Sequence, residues 1–379
     1  MLLKQISIIV SLALLQATGL TGKKGNQSPE INPETSHPAN NGITANSHYI
    51  LKDLPPNYVK DASVDYTSII QAALNKYNHV VFPAFPLLIN DSGLNIGSNK
   101  ALSFLPGSEL RMMPSIKKNF YILRMRGVSN VTLYNPVLKG DRYQHLDNVG
   151  EWGMGISILG SSNIKVFNAH ITECWGDGIY IGDNNGIPSK NIQISNSYVS
   201  RNRRDGISVV SVDGLKMENI YAGYSNGTKP LAGINFEPNN SKDELKNISL
   251  NKINTEANLG AGIQISMSNL YGGSNKIIGI NISNHTDKGS ERSFYSSIYL
   301  KKQVDDERVS GNIQVNNAHW INNTFRPMVA DLNEENIQLL LNNIQITDKD
   351  GKLYKGEAAK KFLSSKYYIN PLSNYKISN

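Results

Sequence analysis

The chain has 379 residues, a formal net charge of +7 at pH 7 and one cysteine, Cys174. A single cysteine excludes an intrachain disulfide and predicts a buried, inert thiol, and the dispersed lysines and arginines predict a solvated basic surface with no nucleic-acid partner. The 31 glycines and the frequent asparagines favour many short strands joined by turns over a helical bundle.

Residues 1–22 are typical of a secretory signal peptide, with one early lysine, an apolar run and small residues after it. The run is too short to span a bilayer as a helix, so no integral membrane span is predicted. Residues 20–22 (LTG) match the start of a bacterial lipoprotein box, but Lys23 stands where the lipid-bearing cysteine belongs. We therefore expect a secreted or periplasmic protein, in which a lipid anchor would require a native cysteine at position 23. Residues 23–50 are rich in Asn, Pro, Ser and Gly and predict a flexible leader.

Residues 64–78 (VDYTSIIQAALNKYN) predict the first regular element, a helix. Asp65 or Thr67 can cap its N-terminus, and Ile69, Ile70, Ala73 and Leu74 form one apolar stripe. The segments 79–89 and 100–113 follow, and they are predicted to be strands separated by turns.

Eight segments between residues 131 and 346 share one pattern, in which alternating apolar residues are followed by an asparagine, or in one segment by a lysine. These residues are Asn135, Asn168, Asn196, Asn219, Lys252, Asn284, Asn317 and Asn343. Asparagine tolerates the left-handed conformation of a sharp bend, and its amide can bond the equivalent amide of a neighbouring coil. The series therefore predicts one corner of a repeating coil.

A second series interleaves with the first and places a small residue before an Ile-x-apolar strand. Its anchors are Gly155, Gly178, Gly206, Gly233, Gly262 and Ser297. Two strands per period of about 23–35 residues predict a solenoid. Coils stacked at about 4.8 Å bury the apolar side chains on one side and pair the strand edges.

The pattern resembles the right-handed parallel β-helix of the pectate lyase superfamily over residues 60–345. The resemblance rests on the capping helix, the VVFPA strand at 80–84 and the asparagine series. It implies an all-β fold, a single-stranded right-handed parallel β-helix of about ten coils with an N-terminal capping helix and a C-terminal cap. We assign residues 51–345 to the β-helix domain and residues 346–379 to the cap. Because this fold hosts many activities, the resemblance implies a superfamily and no substrate.

The register of the glycine-led strands predicts a polar and aromatic outer face. One file along this face holds Tyr180, Ser208, Asn235, Gln264 and Tyr299, and the next file holds Val210, Glu237 and Lys301. Such a face can hold sugars by hydrogen bonds and ring stacking. A plain solvated sheet face is the alternative.

Asp177 and Asp205 precede the anchor glycines of adjacent coils. Because strand parity would bury them, we expect both in the preceding turns, about 5 Å apart. When two carboxylates lie this near each other, one can act as a proton donor and the other as a base or nucleophile, as in retaining glycosidases. Arg203 and Arg204 lie beside them and are candidates for binding a substrate carboxylate or sulfate. The alternative is structural, since Asp-Gly is ordinary turn chemistry and the arginines would pair with the acids.

The loop at residues 140–145 adds Asp141, Arg142 and His145, which offer an acid, an anion clamp and a titrating base. A lone loop histidine can also be incidental. Trp175, in the turn before Asp177, is a candidate sugar platform.

Glu237 and Asn239 lie at the end of another glycine-led strand. Glu237 is five positions along the strand from the Asp205 level, or roughly 16 Å, so it joins the aspartate pair only if the glycine bulges the chain. Asp183 lies nearer the Glu237 level and is an alternative partner.

Three functions remain open. The leading hypothesis is an exported enzyme that hydrolyses an anionic polysaccharide without a cofactor, with Asp177, Asp205 and Glu237 as its acids and bases. The second is a lyase, in which His145, Lys301 or an arginine takes the proton next to a uronate carboxylate that calcium or arginine neutralises. The third is a non-catalytic glycan-binding or adhesin-like protein. The sequence has no zinc, phosphate-loop or nucleophile-elbow motif, no paired-aspartate or Gly-His-Gly motif of polygalacturonases, and no Tyr-x-x-Asp-x-His signature of alginate epimerases. It predicts no metal site and leaves the oligomeric state open.

Overall fold

The computed structural model describes residues 42–272, 274–298, 309–332, 336–365, 367–371 and 373–378. The predicted signal peptide, Lys23 and most of the predicted leader lie outside the described residues, as do Tyr299 and Lys301. The last residues of the expected leader form a short strand at residues 48–49 that pairs with the strand at 79–82.

The described chain is built almost entirely from short strands. In chain order they are β1 (His48–Tyr49), β2 (His79–Phe82), β3 (Pro86–Ile89), β4 (Leu94–Asn95), β5 (Lys100–Phe104), β6 (Glu109–Met112), β7 (Asn119–Arg126), β8 (Ser129–Tyr134), β9 (Val137–Lys139), β10 (Trp152–Leu159), β11 (Ser162–Phe167), β12 (His170–Thr172), β13 (Ile179–Gly182), β14 (Ser189–Ser200), β15 (Ile207–Val209), β16 (Val212–Gly223), β17 (Ile234–Phe236), β18 (Leu245–Glu256), β19 (Ala261–Ser266), β20 (Lys276–Lys288), β21 (Arg292–Ile298), β22 (Val309–Asn316), β23 (His319–Ile321), β24 (Arg326–Leu332), β25 (Ile337–Asn342), β26 (Gln345–Thr347), β27 (Leu353–Tyr354) and β28 (Tyr375–Ser378).

The strands stack into a parallel solenoid. One sheet has nine strands in the order β24-β21-β19-β17-β15-β13-β10-β7-β4, and a second sheet of 19 strands forms the rest of the coil. Successive strands of the nine-stranded sheet pair in parallel, so each contributes one coil. The predicted all-β parallel β-helix is confirmed, with about nine coils.

The core runs through the middle of the coils. The residue after each predicted anchor glycine points inward, and register aligns these side chains from coil to coil. The aligned, fully buried set consists of Ile156, Ile179, Ile207, Ile234 and Ile263, each of which follows a predicted anchor glycine, and of Phe294, which follows Ser293. Stacking removes the apolar side chains of this file from water, which stabilises the solenoid by hydrophobic burial.

The predicted corner is confirmed at all eight positions. Seven asparagines and Lys252 have φ between 50° and 55°, the left-handed conformation that the bend requires. Neighbouring amides also bond as expected, with Nδ2 of Asn168 donating to Oδ1 of Asn135 at 2.8 Å. The corner thus satisfies both the backbone angle and the side-chain hydrogen bonds.

Lys252 at this corner lowers the stability of the protein relative to an asparagine there, because the lysine side chain makes no local hydrogen bond that favours a φ of 54°. We expect Lys252→Asn to raise the free energy of unfolding by about 0.5–1 kcal/mol, measured by urea denaturation. The lost ion pair to Glu218, 3.5 Å long, is exposed and contributes little. Lys190→Asn is the matched control, since Lys190 is an exposed strand residue and gains nothing from asparagine. A change of equal size in both variants would contradict the corner argument.

Helices cover the ends of the coil stack. The predicted first helix is confirmed as α1 (Thr67–Lys76), where the Asp65 carboxylate accepts a hydrogen bond from the Thr67 N–H at 2.9 Å. Ile70, Ala73 and Leu74 are its buried stripe. A second helix, α2 (Glu357–Leu363), lies in the predicted C-terminal cap, and single 3-10 turns occur at Ile50–Lys52 and Ser268–Leu270. None of the helices in the described part of the chain has the length and apolarity to cross a membrane.

One predicted register is wrong. Gln264 pairs with Tyr295 and Ser266 pairs with Ser297, so Ser293 takes the place that the sequence pattern assigned to Ser297. The predicted register is therefore shifted by four residues. The anchor was misplaced because a serine replaces glycine as the small residue in this coil and the segment 293–297 contains several serines. Tyr295 therefore continues the file that was predicted to contain Tyr299.

Candidate functional site

The outer face of the nine-stranded sheet carries one continuous file of polar side chains. Register aligns Arg124, Ser157, Tyr180, Ser208, Asn235, Gln264 and Tyr295. The predicted alignment from Tyr180 to Gln264 is confirmed. However, Ser208 and Asn235 are fully buried, as is Val210 in the neighbouring file, so they do not line an open groove as expected. Tyr180 and Gln264 are half-buried and remain at the surface.

Arg204 lies at the centre of this face and covers the buried part of the file. Its Nη1 is 3.1 Å from an Asp177 carboxylate oxygen and 3.2 Å from one of Asp205, and its Nη2 is 2.6 Å from Glu237. Its Nε is 3.8 Å from Glu151. Four carboxylates therefore converge on one guanidinium, and we call these five residues the acid cluster.

The two aspartates of the acid cluster precede their strands, as predicted, but their carboxylates point into the protein. Both are fully buried. Asp205 accepts hydrogen bonds from the Ala232 N–H at 2.7 Å and from Asn235 Nδ2 at 3.0 Å, and Asp177 accepts one from the Asp205 N–H at 3.0 Å. The pair links three consecutive coils, which is the structural role that the sequence left open beside catalysis.

Burial is the main influence on the charge of this pair. It raises the pKa of both Asp177 and Asp205 above the ordinary carboxyl value, and Arg204 opposes the rise only in part. Although burial disfavours its charge, the surrounding carboxylates raise the pKa of Arg204, so the guanidinium stays protonated. Four carboxylates against one cation leave an excess of negative charge that favours retention of a proton in the cluster.

Glu237 reaches the aspartates without a bulge in the backbone. The arginine side chain covers the distance along the strand, so Glu237 and Asp177 contact the two terminal nitrogens of the same guanidinium. The expectation that roughly 16 Å separates Glu237 from the pair is therefore wrong at the level of the side chains. Asp183, the alternative partner, instead accepts a hydrogen bond from the Gly186 N–H at 2.6 Å within its own turn.

Glu151 was missed by the sequence analysis. It ends the loop after β9, directly before β10, and no repeat or motif singles it out. Its side chain is 37% exposed and that of Glu237 is 20% exposed, whereas Arg204 is 11% exposed. Glu151 and Glu237 are thus the carboxylates of the cluster that solvent or a ligand can reach.

His145 lies in a closed aromatic cluster. Its Nδ1 is 2.8 Å from an Asp141 carboxylate oxygen, and both side chains are fully buried. The ring stacks between Phe120 and Trp175, with centroids 5.7 Å and 3.9 Å away. Trp175 is 6% exposed and cannot serve as an open sugar platform in this conformation, contrary to expectation. Nε2 of His145 and Nε1 of Trp175 are buried and have no hydrogen-bond partner in the described part of the chain.

Two of the predicted anion-binding arginines are occupied by the protein itself. Arg142 donates from Nη1 to the carbonyls of Arg201 and Asn202, at 2.6 Å and 2.9 Å. Arg203 donates to the Gly150 carbonyl at 2.6 Å, and its guanidinium carbon lies 3.8 Å from the Trp175 ring centroid. Both arginines therefore hold loops together.

The remaining predicted ligand residues lie at the edge of the face. Asn239 donates from Nδ2 to the Tyr180 hydroxyl at 3.4 Å, and Gln264 donates to the Ser266 hydroxyl at 3.3 Å. Arg124 is a residue that the sequence analysis did not select. Its Nε donates to Asn95 Oδ1 at 2.9 Å and its guanidinium lies 4.2 Å from the Tyr121 ring centroid, so it is held in place on this face. Arg126, two residues further along β7, is exposed and has no ion-pair partner among the described residues.

The described residues contain no group of three or more His, Cys, Asp or Glu side chains arranged to hold a metal ion. In the acid cluster, the Arg204 guanidinium lies where a cation shared by the carboxylates would have to be. Cys174 is buried and unpaired, and burial raises the pKa of its thiol, which keeps it in the unreactive neutral form.

Comparisons with known proteins agree with this architecture. A family model described as "Right handed beta helix region" matches residues 114–235. Together with the parallel stacking of the strands, this match identifies the fold as a right-handed parallel β-helix. Among solved structures, the β-helix is similar to the pre-mature gene product 12 of bacteriophage phi29, with a TM-score of 0.66 and 18% identity over 79% of this chain and 42% of that one. It is also similar to the mannuronan C-5 epimerase AlgE4 A-module of Azotobacter vinelandii, with a TM-score of 0.54 and 15% identity over 88% of this chain and 89% of that one.

Sequence relatives cover only part of the β-helix. The SPbeta prophage-derived uncharacterized protein YorA of Bacillus subtilis (strain 168) is 32% identical over 96 residues, which are 24% of this chain and 16% of YorA. The uncharacterized protein YclG of the same strain is 24% identical over 158 residues, which are 36% of this chain and 27% of YclG. The chain thus spans less than a third of the length of these curated relatives.

The buried aspartates of the β-helix predict that its stability falls as the pH rises. Burial raises the pKa of Asp177, Asp205 and Asp287 above 3.8, for Asp287 to about 6. From about pH 4 up to these raised values, the folded state binds more protons than the unfolded chain, so the free energy of unfolding decreases with pH. His285 acts in the opposite direction, because burial lowers its pKa to about 3 and stability is lost as the pH falls below 6.5.

Asp287→Asn isolates one of these contributions. Between pH 4.5 and pH 8 the wild-type protein should lose stability relative to this variant, measured by urea denaturation at each pH, because asparagine has no proton to release. The exposed Asp350→Asn is the control and should leave the pH slope unchanged. A parallel pH course for wild type and Asp287→Asn would contradict the prediction.

Proposed function

We propose that this protein is an exported enzyme that hydrolyses an anionic polysaccharide on the outer face of the nine-stranded sheet. The observation that carries the proposal is the convergence of four carboxylates on Arg204, with two of them open to solvent. Carboxyl groups whose pKa is shifted by burial and by neighbouring charges, and which solvent can reach, are suited to proton transfer.

The chemistry is assigned to the accessible part of the acid cluster. Glu237 lies 2.6 Å from Nη2 and Glu151 lies 3.8 Å from Nε of the same guanidinium, and the proposal places one glycosidic bond over Arg204 between them. One would donate a proton to the leaving oxygen while the other activates water or attacks the sugar. Asp177 and Asp205, buried beneath, position Arg204 and hold the surplus charge. This reassigns the pair from direct catalysis to positioning.

The anionic preference rests on Arg124 and Arg126. Arg203 and Arg142 are bonded to carbonyls, and Arg204 is surrounded by acids, so none of them is available for a substrate carboxylate. Arg124 lies in the same file as Tyr180, two strands away, or roughly 10 Å at the strand spacing. A uronate bound there would place a neighbouring sugar against Tyr180.

The lyase alternative assigns the proton transfer to His145, Lys301 or an arginine. The enclosure of His145 between Phe120 and Trp175 favours hydrolysis, since the ring would have to be uncovered before it met a substrate. A lyase would also form an unsaturated product that absorbs in the ultraviolet, with calcium or arginine neutralising the uronate. Screening uronic-acid polysaccharides and weighing the products by mass spectrometry separates the two reactions, because hydrolysis adds water and elimination does not.

Glycan binding without cleavage is the second candidate function. It is favoured by the complete burial and hydrogen bonding of Asp177 and Asp205, which is what a purely structural pair would show. In the same screen, retention of a polysaccharide with no change in product mass would support binding and contradict the hydrolase proposal.

A further inference from the structure

A second row of asparagines, on the nineteen-stranded sheet, ends abruptly at a glycine. Asn99, Asn130, Asn163 and Asn191 occupy consecutive coils with φ between 52° and 58°. Each amide Nδ2 donates to Oδ1 of the preceding member, at 3.0 Å, 3.1 Å and 3.3 Å along the row. We call this row the upper ladder.

Gly214 takes the next place in the upper ladder and supplies no side chain. A Cβ built on it would lie 3.0 Å from Asn191 Oδ1, and that oxygen accepts no hydrogen bond from the described residues. One coil later the asparagine returns as Asn247, but its Nδ2 donates to Asp213 at 2.7 Å. Gly214 is one of the residues that line a recess of about 660 Å³, which extends along the sheet from Asn130 to Asn247.

The recess is positively charged. Lys165, Gln193, Lys216 and Ser249 lie side by side in register along its length. Lys165 and Lys216 are two strands apart, about 10 Å at the strand spacing. Both are exposed, and neither has an ion-pair partner among the described residues. The carboxylate of Asp213 lies at the edge of the recess, where it accepts a hydrogen bond from Asn247, and no Asp or Glu is among the lining residues. The nearby Glu218 is instead bonded to Asn251 at 3.0 Å and lies 3.5 Å from Lys252.

These groups match one class of ligand. Amide oxygens and nitrogens bond sugar hydroxyls, and two unpaired ammonium groups attract carboxylates or sulfates. We propose that the recess at Gly214 is a binding site for an acidic oligosaccharide, on a different sheet from the acid cluster. The spacing of the two lysines allows them to contact acidic groups on separate sugar units of one chain. The site does not depend on whether the acid cluster is catalytic.

The test measures binding of fluorescently labelled hexagalacturonate by anisotropy at low salt. The starting protein is the full chain carrying Arg124→Gln and Arg126→Gln, which removes the cations proposed to bind anions on the nine-stranded sheet. This protein should still bind the probe. Adding Lys165→Gln and Lys216→Gln, or separately Gly214→Asn, should weaken binding by about tenfold or more, since two charge-assisted contacts or the space beside Gly214 are lost.

Gly214→Asn is the sharper of the two changes, because asparagine tolerates the positive φ. Once Asn191 Oδ1 moves by a few tenths of an ångström to relieve its 3.0 Å contact with the new Cβ, the asparagine would restore the missing member of the upper ladder. The matched control adds Lys361→Gln and Lys376→Gln, two exposed lysines far along the chain, and should leave binding within about twofold. Thermal unfolding verifies that each variant is folded. The methyl-esterified hexamer, which has no charge, should bind at least about tenfold more weakly than the acidic hexamer.

Four outcomes would overturn the proposal: loss of all binding in the starting protein, no effect of the recess variants, an equal effect of the control lysines, or equal binding of the neutral hexamer. If no polysaccharide were turned over, the hydrolase proposal would be contradicted, but the proposal of a binding site at the recess would not be affected. If turnover were retained and the recess variants did not change binding, only the binding-site proposal would be contradicted.

Discussion

Replacing Arg204 by methionine is expected to lower the free energy of unfolding at pH 7.5 by about 3–5 kcal/mol, because two buried aspartates would then lack their cation. Asp177 and Asp205 are fully buried, and Arg204 is the only arginine or lysine within ion-pair distance of either among the described residues. Urea denaturation at pH 5 and pH 7.5 provides the measurement. The loss should be smaller at pH 5, since protonation neutralises the buried acids.

A matched substitution on the same face is Arg126→Met, at an exposed arginine without an ion-pair partner in the described residues, which should change stability by no more than about 0.5 kcal/mol. If Arg204→Met is too unstable to purify, adding Asp177→Asn and Asp205→Asn should restore a folded protein by removing the unpaired charges. A pH-independent loss, or no rescue by the double asparagine change, would show that Arg204 stabilises the fold by packing instead.

Glu237→Gln is expected to reduce polysaccharide hydrolysis by about 100-fold to 10,000-fold, the range for loss of a general acid or base. The fold should survive, because Glu237 is partly exposed and glutamine can still accept a hydrogen bond from Arg204 Nη2. Turnover is measured by product mass on the substrate that the uronic-acid screen identifies, with thermal unfolding as the folding check. Glu151→Gln should give a loss of similar order, since the two groups share the proton transfer.

Glu244→Gln is the control for this pair, because Glu244 is a comparably exposed glutamate paired with Lys246 away from the cluster. It should leave turnover unchanged. Full activity in Glu237→Gln would remove the acid cluster from the mechanism. Activity that survives Asp177→Asn and Asp205→Asn but not Glu237→Gln would agree with a positioning role for the aspartates, whereas survival in all of these variants would leave no catalytic role for any of them.

The regular part of the fold could be predicted because the bends and strands of each coil depend on residues that are close together in the sequence. The bend at Asn135 and its equivalents needs a positive φ in every coil, so asparagine recurs and even marks the position that Lys252 fills. Strand parity likewise identified the inward isoleucines, since alternation is a property of two neighbouring residues. Ser293 shows the limit of such patterns. Because a serine takes the place of the anchor glycine in this coil, the predicted register was wrong by four residues.

The candidate site was predicted less completely, because its members do not share a local pattern. Sequence spacing brought Asp177 and Asp205 to adjacent coils, but it could not show that both carboxylates point inward. Glu151 belongs to an irregular loop, and only the folded chain brings it to Arg204. The same applies to His145, whose enclosure by Phe120 and Trp175 depends on three different coils.

By itself, the sequence determined the solenoid, its corner of left-handed asparagines, its inward apolar file and the proximity of two aspartates, because these follow from periodicity and backbone conformation. The tertiary structure alone decided which charges are buried and which are open. A long arginine side chain can reach several coils. Only the folded structure shows that the guanidinium of Arg204 lies among the carboxylates of Asp177, Asp205, Glu237 and Glu151. Burial of a carboxylate depends on every coil that surrounds it, whereas a bend depends on the few residues that make it.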